Sequence, residues 1–226
     1  MIKYIEKLTK SQPATKVLVE KIVRENGLNK SKLCCVLPSG GCNQMLKFHH
    51  DMITYNTLGV GKHIISIYDG DVKDIINKKQ EYKYLPKCFL PIPSIEKFLR
   101  NKCVVEKDKK FIRLIGDKYF NQRSLDDIIA DYMNDPRTSV NKDGDGKNFY
   151  KVILSNIEKI GITEKDFIKY LCDDICNYIN MDSFTSALIT LLKWLIFLVN
   201  NEKDIIIQSV KNQLLVLFAS LINTEF

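Results

Sequence analysis

The segment HIISIYDGDV, residues 63–72, joins an apolar run to two aspartates that a single glycine separates. The run lacks the alternation of a half-solvated strand, and this pattern is typical of a parallel strand covered on both faces. We predict a strand over residues 62–71. In open parallel sheets, ligands bind beyond the carboxyl ends of the strands, because the loops there converge on a crevice. The segment therefore predicts a buried strand with a site at its end.

Apolar runs and helical patterns alternate through the first hundred residues. Pro13 suits the first turn of one helix, and a second helical stretch follows Gly40 and Gly41. The nearly continuous apolar character of the runs favours parallel strands with helices on both faces, as in a βαβαβ doubly wound unit. The predicted fold class is therefore α/β, with strands over residues 2–6, 32–38, 62–71 and 87–92.

The composition shifts near residue 106. The charged sequence EKDKKF, residues 106–111, is predicted to form a turn, and the pattern beyond it is helical. We expect two regions, an α/β domain over residues 1–105 and a helical region over residues 106–226. A polar loop, residues 134–147, lies between the first two of the helices predicted over residues 125–133, 147–160, 164–178, 184–199 and 205–222.

The composition restricts the class of protein without identifying a partner. The 226 residues include 34 lysines and arginines against 27 acidic residues, and this net charge of +7 permits a polyanionic partner without requiring one. The longest apolar stretch, residues 184–199, is shorter than the roughly 20 residues of a membrane span and contains Lys193, so we expect a packed helix and no membrane partner. The seven cysteines form no CxxC pair, which favours reduced thiols and a cytoplasmic location.

Acidic side chains follow several of the predicted strands. Glu6 ends the first strand, and Asp69 and Asp71 end the third. Glu96 lies shortly after the fourth. Carboxylates are ionised at pH 7, and their mutual repulsion favours a divalent cation between them, for which oxygen ligands select Mg²⁺ or Mn²⁺. A DGD sequence alone is most often a turn, but the joint placement at strand ends indicates a metal site.

Small residues near the same strand ends indicate contacts with a phosphate. Gly70 allows the chain to turn sharply, so that both flanking aspartates can face one metal region. A glycine pair lets the backbone approach a phosphate closely. We therefore expect substrate phosphate contacts from Ser39, Gly40, Gly41 and Ser94.

Four segments together resemble the Toprim domain of the overcoming-lysogenisation-defect (OLD) family of nucleases. They are YIEK, VLPSGGCNQMLKFHHDM, IISIYDGDV and LPIPSIEKFL, and the resemblance covers roughly residues 2–105. It implies that Glu6 is the first-strand glutamate of the metal centre and that Asp69 and Asp71 are its DxD pair. Glu96 falls on a further acidic position of the family. The resemblance implies a Toprim-like Rossmannoid sheet that binds two cations.

The resemblance extends to DGKNFYKVI, residues 145–153. It implies that Lys147 contacts the scissile phosphate or stabilises developing charge, and an ordinary surface lysine is the alternative. The residues before Lys147 begin like a calcium-binding loop, but Val152 stands where such a loop needs a glutamate. We therefore expect a mobile loop that delivers Lys147 to the site, and not a calcium site.

The resemblance implies a metal-dependent endonuclease that hydrolyses phosphodiester bonds, with DNA favoured over RNA and a role in phage defence or DNA processing. OLD nucleases carry an ATPase domain ahead of the Toprim domain, and no stretch here has the glycine spacing of a phosphate-binding P-loop. We therefore expect either an ATPase partner in trans or a shortened, independent member of the family.

Two other functions stay open. A Toprim ribonuclease acting on structured RNA or tRNA would attack the same phosphodiester bond. A non-catalytic dimerisation or docking module also agrees with the sequence, because Lys7 and Lys10 stand where many OLD-type domains have a second acidic residue. An apolar stripe within residues 205–222 would then support a homodimer or a docked partner.

The histidines are not predicted to be catalytic. His49 and His50 are adjacent in the second predicted helix, so at most one of them can face the sheet. A packed or solvent-facing imidazole is therefore favoured at both positions. His63 opens a strand and has no acidic or nucleophilic partner nearby in the sequence.

Overall fold

A computed structural model describes residues 13–27, 41–57, 64–136 and 142–200, with side chains described from Lys16 to Lys193 within these ranges. The strands predicted over residues 2–6 and 32–38 and the helix predicted over residues 205–222 lie outside the described residues. The same is true of six residues named in the analysis of the sequence, which are Glu6, Lys7, Lys10, Ser39, Gly40 and His63.

The described part of the chain is mixed α/β and mostly helical, with a small parallel sheet of two strands. None of the described helices is both long and apolar enough to cross a membrane. In chain order the α-helices and strands are α1 (Pro13–Glu25), α2 (Cys42–Thr54), β1 (Ser66–Tyr68), α3 (Lys73–Asn77), β2 (Lys87–Phe89), α4 (Ile95–Arg100), α5 (Lys109–Tyr119), α6 (Leu125–Asn134), α7 (Lys147–Lys159), α8 (Glu164–Tyr178) and α9 (Asp182–Asn200).

The two strands confirm the predicted parallel pairing but are shorter than predicted. Ile67 lies opposite Cys88, and Leu90 donates its N–H to the carbonyl of Tyr68 over 2.8 Å. Beyond this point the sequence reads Leu90-Pro-Ile-Pro, and proline has no N–H with which to extend the ladder. The pairing therefore ends where the chain turns toward α4.

The predicted turn over residues 106–111 is correct only for its first half. Lys107 adopts a left-handed conformation, with φ of 51°, and α5 begins two residues later. The Asp108 carboxylate caps this helix by accepting hydrogen bonds from the N–H groups of Lys110 and Phe111. The prediction was wrong because the charged residues were assigned to a turn, whereas two of them form the solvent-facing start of a helix.

The main apolar core draws on residues from both predicted regions. Leu18 of α1, Cys88 of β2 and Leu99 of α4 share one buried cluster with Phe111 of α5 and Leu171 of α8. Helix α1 packs against α8, where an ion pair joins the Lys21 ammonium to the Asp173 carboxylate. The boundary between residues 105 and 106 stays a prediction, but the residues on either side of it pack together.

Three of the described cysteines are enclosed in the core. Burial raises the pKa of Cys88 to about 11 and that of both Cys103 and Cys172 to about 12. These groups are therefore protonated at neutral pH, which makes them weak nucleophiles and weak metal ligands. Their place in the core agrees with a structural role.

Candidate functional site

The Asp69-Gly70-Asp71 turn follows β1 directly and lies against the segment that follows β2. The Gly70 N–H donates a hydrogen bond of 2.8 Å to the carbonyl of Ile92. A Cβ atom on Gly70 would lie 2.5 Å from the Leu90 carbonyl oxygen and 2.7 Å from that of Ile92. Only glycine fits between these two backbone groups. The close approach brings the two aspartates beside the segment that carries Ser94 and Glu96.

Ser94 and Glu96 belong to the start of α4. The Ser94 hydroxyl caps the helix by accepting a hydrogen bond from the N–H of Lys97, so in this structure it serves α4 itself. Glu96 lies in the first turn, and the Lys97 ammonium contacts Asp71 Oδ2 at 3.0 Å. An ion pair therefore joins the start of α4 to the Asp69-Gly70-Asp71 turn.

The segment before α7 also packs against the start of α4. Gly146 is left-handed, with φ of +74°, and a Cβ atom there would lie 2.4 Å from the Glu96 carbonyl oxygen and 2.9 Å from Lys97 Cα. Lys147 follows, with its ammonium 3.0 Å from Asp145 Oδ2. This ion pair raises the pKa of Lys147, and the charge of Glu96 adds to the increase. Lys147 and Glu96 thus occupy the same side of the molecule.

Buried hydrogen bonds to Asp143 fix the segment that precedes α7. The Asp143 side chain is buried and accepts hydrogen bonds from the Tyr132 hydroxyl at 2.7 Å and from the N–H groups of Asn148 and Phe149, each at 2.9 Å. Burial raises the pKa of the Tyr132 hydroxyl, and the charge of Arg100 on α4 opposes that increase. The carboxylate of Asp143 therefore faces the protein interior, where it joins the beginning of α7 to α6.

Three sequence segments that were predicted separately therefore meet at the start of α4. They contribute the carboxylates of Asp71 and Glu96 and the ammonium groups of Lys97 and Lys147. Asp69 lies at the turn, next to Gly70. Gly41 lies at the beginning of α2, and a Cβ atom added there would have nothing within 4 Å. Its predicted phosphate contact stays a prediction.

The donor chemistry of this site suits a hard divalent cation, but the described residues supply only part of a ligand set. Within the described ranges, no group of three or more His, Cys, Asp or Glu side chains is placed to hold a metal ion. Asp71 instead contacts the Lys97 ammonium, a cation supplied by the protein. Carboxylate oxygens are the ligands that Mg²⁺ and Mn²⁺ prefer. A complete site would need a further ligand such as Glu6, which lies outside the described residues.

Sequence reasoning missed two residues of this site. Lys97 follows Glu96 directly, but no periodicity or spacing in the sequence links it to Asp71, which lies 26 positions earlier. Asp143 stood out in the sequence only as part of a calcium-like pattern. Its burial could have been suspected from the apolar residues of α7 that follow it, because a buried helix start needs acceptors for its first N–H groups.

Of the two adjacent histidines one faces the sheet, which agrees with the prediction that at most one of them can do so. His49 is buried, and its Nδ1 atom lies 2.7 Å from the Ser66 hydroxyl of β1. His50 lies nearer the surface and contacts the Tyr84 hydroxyl. Burial lowers the pKa of His49 to about 4. His49 is therefore a neutral packing residue that fixes α2 against β1.

The burial of His49 predicts a loss of stability in mild acid. Its pKa falls from 6.5 to about 4 on folding, so the unfolded chain gains a proton first as the pH falls below 6.5. We expect wild type to lose about 2 kcal/mol more than His49→Gln between pH 7.5 and pH 5 in urea unfolding followed by circular dichroism. His50→Gln is the control and should keep the wild-type pH dependence. Equal pH dependence of both variants would contradict this assignment.

Comparison of the chain with protein-family models, with curated proteins and with solved structures gives no match. The functional proposal therefore depends on the residues that meet at the start of α4, and the Toprim resemblance stays a hypothesis about them.

Proposed function

We propose that this protein is a metal-dependent endonuclease with the Rossmannoid architecture of the OLD-type Toprim domain. One observation carries the proposal: the segments containing Asp71 and Lys147 each pack against the segment that contains Glu96, through a glycine that leaves no space for a side chain. These segments lie 25 or more positions apart in the sequence, and the sequence alone marks each of them for its chemistry. Such packing places carboxylates and ammonium groups at one surface, as phosphodiester hydrolysis requires.

In this proposal, the carboxylates of Asp69, Asp71, Glu96 and Glu6 hold Mg²⁺ or Mn²⁺, with two ions as the expected number. The bound cations would supply an activated water and neutralise charge on the reacting phosphate. The turn at Gly70 brings Asp71 to the start of α4, where Glu96 lies. The described acidic residues of the proposed site, Asp69, Asp71 and Glu96, thus belong to two short backbone segments that are hydrogen-bonded to each other through Gly70 and Ile92.

Lys147 has a separate role in the proposal. Its side chain is 70% exposed, and its partner Asp145 is 58% exposed, so the pair lies in solvent and can separate at small cost. The ammonium could then turn from Asp145 to a non-bridging phosphate oxygen. Positive charge at that position stabilises the negative charge that develops in the transition state.

The proposed substrate is DNA, bound through its backbone. The net charge of +7 supports contacts with phosphates that do not depend on sequence, so binding should weaken steeply as salt rises. No base-reading motif is present in the sequence, and we therefore propose little sequence specificity. An ATPase acting in trans, a cytoplasmic location and a role in phage defence or DNA processing belong to the same proposal through the OLD resemblance.

The test is cleavage of supercoiled plasmid by the purified chain in Mg²⁺, Mn²⁺ or chelator. We expect cation-dependent cleavage that Asp71→Asn reduces by about a hundredfold or more, because the loss of a metal ligand removes several kcal/mol of transition-state stabilisation. Asp117→Asn on α5 is a matched control, since that carboxylate is 75% exposed and pairs only with Arg113 among the described residues. It should cleave at the wild-type rate.

Total tRNA in a parallel reaction distinguishes the ribonuclease alternative. If only tRNA is cleaved, and Asp71→Asn abolishes that cleavage, the proposed catalytic site is correct and its substrate is RNA. If neither nucleic acid is cut with any metal, the isolated chain is not a nuclease. The docking alternative would then predict self-association, which sedimentation at several protein concentrations measures.

A further inference from the structure

An exposed tyrosine is anchored beside α2. Tyr84 lies in the segment between α3 and β2 and is 56% exposed. Its hydroxyl contacts Nδ1 of His50 on α2, and the two rings meet at 67° with their centroids 6.2 Å apart. His50 also lies edge-on to Tyr82, at 5.6 Å between centroids, and Tyr82 packs on a second buried cluster that includes Leu46 and Tyr68. The Tyr84 ring is therefore held at its hydroxyl end while more than half of the residue stays in solvent.

Hydrogen bonds from Lys87 support the turn that carries this tyrosine. The Lys87 ammonium donates to the carbonyl groups of Tyr82, Lys83 and Leu85, over 2.9, 3.2 and 3.3 Å. Within the turn, the Leu85 N–H donates to the Tyr82 carbonyl over 3.2 Å. These contacts order the backbone on both sides of Tyr84, so a ligand that contacts its ring loses less entropy in ordering the protein.

The same segment carries a surplus of positive charge. Residues 78–84 contain three lysines and one acidic residue, which are Lys78, Lys79, Lys83 and Glu81. Each of the three lysines is exposed or half-exposed, and none forms an ion pair with another residue that the structure describes. Lys47 and Asp51, which flank His50 on α2, balance each other. Positive charge that the protein does not itself neutralise favours a polyanionic ligand.

An exposed aromatic ring beside lysines suits an unpaired nucleic acid strand. Every base has a flat face that can stack on an aromatic ring, and every phosphate carries a negative charge that an ammonium group can contact. In a duplex the faces of the bases are covered by their neighbours, so the ring has nothing to stack on. An acidic peptide would use the lysines but not the ring. The combination therefore favours a single strand over other polyanions.

We propose that Tyr84 and the lysines of residues 78–83 form a binding surface for single-stranded nucleic acid. A base stacks on the Tyr84 ring, which His50 positions, and the ammonium groups contact the phosphates on either side. Stacking does not depend on base identity or on the sugar, so DNA and RNA strands are both expected to bind. The inference goes beyond the endonuclease proposal, because this surface requires neither a bound cation nor cleavage.

Fluorescence anisotropy of labelled oligo(dT) and oligo(U), about 12 nucleotides long, tests the stacking role in chelator at low salt. We expect Tyr84→Ala to bind both strands about tenfold more weakly than wild type, and Tyr84→Phe, which keeps the ring, to stay within about threefold of wild type. Affinity for a duplex of the same length should not change. Tyr170→Ala on α8 is the matched control, because Tyr170 is 43% exposed and has the ammonium groups of Lys118 and Lys169 at 5.8 and 6.0 Å from its ring. It should bind like wild type.

The salt dependence of binding tests the lysines separately. Replacing the three lysines of residues 78–83 by glutamine should make the slope of log affinity against log salt less steep by about 2, because each phosphate contact on a single strand contributes about 0.7. A second triple variant removes the same charge from exposed positions on α5 and α7, by changing Lys109, Lys151 and Lys159 to glutamine. It should keep the wild-type slope.

The outcomes separate this inference from the proposed function. Equal losses in Tyr84→Ala and Tyr170→Ala, or equal weakening of duplex and single-strand binding by Tyr84→Ala, would overturn the stacking surface. The absence of single-strand binding by wild type up to about 100 μM at low salt would also overturn it. Metal-dependent plasmid cleavage would still support the endonuclease proposal in each of these cases. Binding lost in Tyr84→Ala by a chain that cleaves nothing would support the surface and contradict the endonuclease.

Discussion

Gly146→Ala should destabilise the protein by about 2–5 kcal/mol, a large fraction of the stability of a typical domain. Two costs combine. Gly146 is left-handed with φ of +74°, a conformation that costs a residue with a Cβ atom about 1–2 kcal/mol. The new methyl group would also lie 2.4 Å from the Glu96 carbonyl oxygen and 2.7 Å from its carbon. Both are backbone atoms, so the start of α4 would have to shift, at a further cost of about 1–3 kcal/mol.

Two other glycines separate these costs. Gly161 has φ of +83° but nothing within 4 Å of a Cβ position, so Gly161→Ala should show the conformational cost alone, about 1–2 kcal/mol. Gly144 lies in the same loop as Gly146 and has neither constraint, so Gly144→Ala should change stability by less than about 0.5 kcal/mol. Urea unfolding followed by circular dichroism measures all three. A Gly146→Ala loss no larger than that of Gly161→Ala would contradict the packing of this loop on α4.

The same substitution has a consequence for the proposed activity. Because Gly146 contacts the backbone of Glu96 and Lys97, a shift at that contact moves Glu96 and Lys147 relative to each other. If the endonuclease proposal is correct, Gly146→Ala should lose cleavage even at temperatures where the variant is folded. Gly161→Ala, which lies beyond the end of α7, should lose stability without such a loss of cleavage.

The local features of the site could be predicted from the sequence because short-range chemistry determines them. The glycine of Asp69-Gly70-Asp71 indicates a sharp turn after a strand, and the structure has that turn. The start of α7 at Lys147 follows from a glycine before an apolar periodic segment, and the structure places it there. In both cases the determining residues are adjacent in the chain.

The contacts between segments could not be predicted in the same way. A Cβ atom at residue 70 would clash with the carbonyl groups of Leu90 and Ile92, and one at residue 146 would clash with the carbonyl group of Glu96. In each case one backbone segment lies close to another. The pattern of side chains in the sequence does not indicate which distant carbonyl group the glycine will contact. The ion pair between Lys97 and Asp71 has the same character, since it depends on how the start of α4 packs against the turn.

Helix α5 shows a different reason for failure. Its apolar residues Phe111, Ile115 and Tyr119 recur every four positions, so the helical period is present in the sequence. We predicted a turn because the residues before Phe111 are charged. Asp108, however, is a favourable N-cap residue. Capping chemistry would have identified the correct first turn, whereas charge alone did not.

Asp143→Ala is expected to cost about 3–5 kcal/mol, comparable to Gly146→Ala but for an electrostatic reason. The carboxylate is 1% exposed and accepts three hydrogen bonds, from the Tyr132 hydroxyl and from the N–H groups of Asn148 and Phe149. Removal leaves buried donors without an acceptor, at about 1–3 kcal/mol for each such group, with partial compensation by water near the loop.

Matched variants distinguish this role from a general effect of removing charge. Asp145→Ala in the same loop removes a carboxylate that is 58% exposed, so it should change stability by less than about 1 kcal/mol. Tyr132→Phe removes one of the three donors together with its need for an acceptor, and should cost about 1 kcal/mol. Thermal unfolding measures the series, and Asp143→Ala should lower the midpoint by about 10 °C. A loss equal to that of Asp145→Ala would show that Asp143 does not anchor the start of α7, and the placement of Lys147 beside Glu96 would then lose its main support.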